Sequence, residues 1–139
     1  MFAQTEEGDW VAFDIVEDPD NRLLLIQHWE SADDASVVEA TMKMGSRMLD
    51  PRFKRILVDV RKSKVRFELA TLAENTADFF TIIAEDAHIA YVMNRWRHEK
   101  EAELIRRCAV DKKFGFKLGY SLKDARKWLL DQPVDGAPK

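Results

Sequence analysis

The chain has 139 residues, 46% of them hydrophobic and 34% charged, the size and composition of a single globular domain. No run approaches the ~20 apolar residues of a membrane span. The acidic start (Glu6, Glu7, Asp9) is unlike a secretory signal, and the lone Cys108 excludes an internal disulfide framework, so a cytoplasmic protein is expected.

Residues 10–17 place Val11, Phe13 and Ile15 on one parity, the alternation of a strand with one apolar face. Asp18-Pro19-Asp20-Asn21 supplies turn chemistry, and residues 23–29, starting from four consecutive aliphatics, return as a more central strand, giving a β-hairpin. Ser31-Ala-Asp-Asp34 starts a helix with acidic residues suited to its N-terminus. Val37, Thr41, Met44 and Met48 form its stripe, and Asp50-Pro51 stops it.

Residues 55–60 (Arg-Ile-Leu-Val-Asp-Val) are a short β-branched run without alternation, as in a strand covered on both faces. A basic connection with Arg61, Lys62, Lys64 and Arg66 leads to a helix over 68–85, whose apolar residues recur at helical spacing through Leu69, Leu72, Thr76, Phe79 and Ile83. Residues 88–93 form a fourth strand, 99–109 a third helix and 114–120 a fifth strand. Ser121-Leu-Lys-Asp124 opens a last helix containing Trp128 and Leu129. The order β-β-α-β-α-β-α-β-α predicts an α/β fold with a mostly parallel five-stranded sheet and about four helices. It forms one domain over 1–131, with residues 1–9 loose and 132–139 a flexible tail.

In such a sheet ligands gather beyond the carboxyl ends of the strands. Arg61, Lys62 and Lys64 after the third strand, and Arg95, Trp96 and Arg97 after the fourth, are the candidate ligand-binding residues. Their guanidiniums and ammoniums suit a phosphate or carboxylate; equally, they suit a solvated loop. Trp96 either stacks on a ligand or membrane surface or packs beneath a helix. Asp59 is read as structural, accepting hydrogen bonds from loop amides. His28, His88 and His98 show no metal-ligand spacing, and Cys108 lies on a helical stripe. No nucleophile elbow, phosphate-binding loop or dinucleotide fingerprint occurs, so neither catalysis nor a cofactor is expected.

Residues 52–66 hold seven basic side chains, but they divide between the two ends of one strand, roughly 17 Å apart. Residues 1–39 carry eleven acidic side chains against Arg22 alone. Both observations argue against nucleic acid. The same charge asymmetry makes a homodimer an open expectation, and no integral membrane association is expected.

The strand Leu57-Val-Asp-Val-Arg61, the helix after it and the closing Ser121-Leu-Lys-Asp-Ala-Arg-Lys-Trp-Leu129 resemble the STAS superfamily, specifically its SpoIIAA-like branch, over roughly residues 10–131. The resemblance implies a regulatory protein. Anti-sigma-factor antagonists of this kind carry a phosphorylatable Ser in an Asp-Ser-Ser-Gly pattern at the matching helix start. Here the stretch reads Phe67-Glu-Leu-Ala-Thr-Leu72, with Thr71 the nearby hydroxyl. The branch is also compared in fold with CRAL-TRIO lipid-transfer domains. Two expectations follow. One is a non-enzymatic protein binding an amphipathic anionic or lipid-like molecule at the carboxyl edge. The other is a protein-interaction module of the antagonist type that lacks the phosphorylatable Ser.

Overall fold

A computed structural model of the chain describes residues 2–4, 10–30, 50, 52–61, 69–96 and 98–133. The elements are β1 (Phe2–Gln4), β2 (Trp10–Asp18), β3 (Leu23–Glu30), β4 (Arg55–Asp59), α1 (Leu69–Ile82), β5 (His88–Val92), α2 (Glu99–Ala109), β6 (Gly115–Gly119) and α3 (Leu122–Asp131). The predicted helix over 31–49, the loop residues Lys62, Lys64 and Arg66, Arg97 and the end of the tail lie outside the described residues.

The strands form one sheet in the order β1-β2-β3-β4-β5-β6. β1, β2 and β3 pair antiparallel, and β3 to β6 are mutually parallel. The sheet therefore has six strands where five were expected. Phe2 to Gln4, read from the acidic start as part of a loose segment, pair with Ala12 to Trp10. A three-residue edge strand is too short to leave an alternation signal.

The hairpin turn forms as its chemistry dictates. The Asp18 carboxylate accepts from the Asn21 side-chain amide at 2.8 Å and from its backbone N–H at 3.4 Å. Arg22 closes the turn in the left-handed region (φ 51°).

Strand alternation sends apolar residues to both faces of the sheet. On one face Leu24, Ile26, Ile56, Val58, Ile89 and Tyr91 pack against Phe79 and Phe80 of α1, Ile83 just after it, and Ala102 and Ile105 of α2. Phe80 anchors this layer, with the rings of Phe114, Phe116 and Tyr91 edge-on at 5.2, 5.9 and 6.2 Å. On the other face Leu23, Leu57, Ala90 and Val92 meet Ala125 and Leu129 of α3, with Trp128 packed alongside. Ser121 caps α3, its hydroxyl accepting from the Asp124 N–H at 3.3 Å.

The amino edge holds an arrangement that composition does not suggest. Arg55 is 3% exposed. Its guanidinium donates to the carbonyls of Asn21 (2.7 Å), Leu130 (3.3 Å) and Gln132 (2.6 Å), with no carboxylate partner among the described residues. Burial, then the charge of Arg22, depresses its pKa. A cation beside the last carbonyls of α3 also complements the helix dipole. Next to it in register, His88 faces Gly115 and stands edge-on to Trp128 at 6.2 Å.

Candidate functional site

The carboxyl edge is built by the row Gln27, Asp59, Val92 and Gly119, which stand side by side in β3, β4, β5 and β6. Beyond it the ladder continues, with Val60 N–H donating to Val92 O at 2.9 Å and Met93 N–H to Gly119 O at 3.0 Å. Arg61, the turn from Asn94 to His98, Tyr120 and the first turn of α2 therefore rise from one edge.

Asp59 is 5% exposed. Its carboxylate accepts two bonds from the Arg61 guanidinium (2.9 Å each), one from the Gln27 amide (3.0 Å) and one from the Arg61 backbone N–H (3.2 Å). Burial works to raise its pKa, but the Arg61 side chain, the Gln27 amide and the backbone N–H together hold it below the usual carboxylate range. Arg61 is correspondingly raised, first by its hydrogen bond to Asp59. This bidentate pair clamps the end of β4 and engages the Arg61 guanidinium internally.

The turn after β5 is closed by its own side chains. The Asn94 N–H donates to Nδ1 of His98 at 3.0 Å, and Asn94 Oδ1 accepts from the Trp96 N–H at 3.0 Å. The His98 N–H returns to Asn94 O at 2.9 Å. His98 is itself buried, at the N-cap position of α2. At the crest of this turn Trp96 is 89% exposed. The alternative of a ring packed beneath a helix is thus corrected. The turn is fixed from below by buried His98, so its apex points to solvent.

Next to it, Arg95 lies over the Tyr120 ring at 4.6 Å, and Arg106 of α2 reaches the same ring at 6.0 Å while donating to its hydroxyl at 3.3 Å. An open groove of about 630 Å³ runs beside them, lined by Leu69, Glu99, Lys100, Glu103, Leu104, Arg106, Arg107 and Tyr120. Among the described residues no group of three His, Cys, Asp or Glu side chains is placed to share a metal ion. No described helix is long and apolar enough to cross a membrane.

No protein-family model and no curated protein matches the chain in sequence. Solved structures do match in shape. The crystal structure of an anti-sigma factor antagonist from Mycobacterium paratuberculosis aligns over 93% of this chain and 100% of its own, with TM-score 0.63 and 11% identity. An uncharacterized protein with a SpoIIAA-like fold from Shewanella loihica covers 86% of this chain and 93% of its own, with TM-score 0.57 and 15% identity. The chain has a SpoIIAA-like fold.

On this SpoIIAA-like scaffold the predicted crown divides. Arg61, Arg95 and Trp96 do stand on the carboxyl edge, but Arg61 is engaged by Asp59 and Arg95 by Tyr120. Lys62, Lys64 and Arg97 lie outside the described residues. Thr71 falls in the first turn of α1. His98, at the end of the loop that the sequence already puts at this edge, is joined by Arg106 and Tyr120, which sequence reasoning does not place there. The signal available for Arg106 was its place in the basic last turn of α2, opposite the end of β6.

Proposed function

We propose that this protein is a non-enzymatic regulatory module that binds a partner protein through the carboxyl edge of its STAS domain, in the manner of an anti-sigma factor antagonist without the phosphorylatable Ser. The observation that carries the reading is Trp96. A tryptophan 89% exposed on a turn locked by Asn94 and buried His98 has the form of a preorganised interface anchor. Trp and Arg dominate the energetics of protein interfaces, and Arg95 stands beside it. Leu69, 42% exposed at the start of α1, adds apolar surface on the same edge. The fold shared with an anti-sigma factor antagonist supports the same reading.

The lipid-carrier reading asks for an acyl tail beneath α1 and around Trp96. At the C-terminal end of α1, Phe79, Phe80 and the following Ile83 are buried in the core beneath it, and Trp96 is exposed. That counts in favour of the interaction module.

The test pairs capture with extraction. Immobilised protein should retain one polypeptide from a host lysate, and Trp96→Ala should lose it. Native mass spectrometry should meanwhile show the bare chain mass. A stoichiometric lipid or fatty acid in the organic extract, or capture that ignores Trp96→Ala, would overturn the reading.

A further inference from the structure

Arg95 and Arg106 converge on Tyr120 without a carboxylate partner among the described residues. Acidic groups are near in sequence: α2 carries Glu99, Glu101 and Glu103, yet among the described residues the ion pair it forms joins Glu103 to Arg107 at 3.3 Å. Two guanidiniums on one ring repel each other, and the ring's negative face offsets only part of that repulsion. The ring also fixes both in place, so their donors are oriented before any anion arrives.

The adjoining groove has the matching character. Lys100, Arg106 and Arg107 line it against Glu99 and Glu103, and Arg107 is the partner of Glu103. Leu69 and Leu104 supply apolar contact along it. Being open rather than enclosed, it accommodates a chain segment better than a small acid, which tight sites bury over most of its surface.

Resting on the interaction-module reading, we propose that this groove docks an extended acidic segment of the partner protein. Carboxylates of that segment pair with Arg95 and Arg106, and its apolar side chains lie on Leu69 and Leu104. Trp96 anchors the body of the partner alongside.

The test uses the full chain, labelled with nitrogen-15, and three probes. These are the peptide acetyl-Glu-Leu-Glu-Leu-Glu-amide, its counterpart with glutamine for each glutamate, and phosphatidylglycerol vesicles. The acidic peptide should give saturable amide shifts at Leu69, Arg106 and Tyr120. Affinity should fall by at least about tenfold for the glutamine peptide and for the Arg95→Gln/Arg106→Gln variant, and should weaken as salt rises from about 50 mM to about 500 mM. Both arginines are exposed, so the variant should keep its melting temperature and a lost response would not reflect unfolding. Equal binding of the glutamine peptide, shifts at other positions, failure to saturate, or a response to vesicles alone would overturn the proposal. If the peptide fails while the lysate partner is still lost with Trp96→Ala, the acidic assignment falls and the module reading stands. If that partner ignores Trp96→Ala, the module reading itself falls.

Discussion

Replacing Gly115 by alanine tests the packing at the amino edge. Gly115 and His88 are register neighbours, and a Cβ at Gly115 would overlap the imidazole at Nδ1 and crowd its Cγ at 3.1 Å. The ring has little room to withdraw, because Trp128 stands edge-on to it. Overpacking of this kind costs about 1–3 kcal/mol. Against that, removing glycine from a strand stabilises by roughly 0.5–1 kcal/mol, and Gly115 is not in the left-handed region, so alanine meets no backbone penalty. The net expectation is a loss of about 1–2 kcal/mol. In a His88→Ala background the overlap disappears and only the gain remains, so the sign reverses. Urea unfolding of the four members of this cycle, with m unchanged, should give a coupling near 2 kcal/mol. On heating, Gly115→Ala alone should melt some 4–8 °C lower. A Gly115→Ala effect of the same sign and size in both backgrounds would refute the reasoning.

Three further outcomes are expected. The His88 pKa is lowered by burial, which outweighs the raising effect of the Pro133 backbone; the charge of Arg55 adds a smaller lowering and Asp86 a smaller raising effect. Its contribution to stability is therefore complete above the unfolded value near 6.5 and lost as pH falls through the folded value; His88→Gln should flatten urea-derived stability across that window. The Asp59 pKa is also depressed, and its contribution is complete above about pH 4 and lost below; Asp59→Asn should destabilise by about 1–2 kcal/mol at neutral pH and make acid unfolding less steep. Arg55→Leu leaves the carbonyls of Asn21, Leu130 and Gln132 without their donor. Hydrogen exchange should accelerate in the last turn of α3, with a loss of about 2–3 kcal/mol and no change at the carboxyl edge; unchanged exchange there would remove Arg55 as the clamp of that helix end.

Much of the fold was legible because its signals are local. Unbroken apolar runs at 56–58 and 89–92 marked strands buried on both faces, helical spacing through Thr76, Phe79 and Ile83 marked α1, and Asp18 to Asn21 and Ser121 marked a turn and a cap that form as read. β1 was missed because three edge residues carry no period.

What sequence alone determined is therefore the order of elements, the two-faced burial of the central strands and the edge at which the basic loops gather. Only the tertiary structure decided which charges are engaged. Arg55 and Arg61 lie six positions apart on the same strand region, yet one is buried against the end of a helix more than seventy residues away and the other is clamped to Asp59. Arg95 and Arg106 sit on separate elements, and they share Tyr120 because β5, α2 and β6 bring them to one place. Periodicity reports the face a residue takes within its own element. A guanidinium's partner depends on which elements the sheet order makes neighbours, and the register of β3 to β6 set that here.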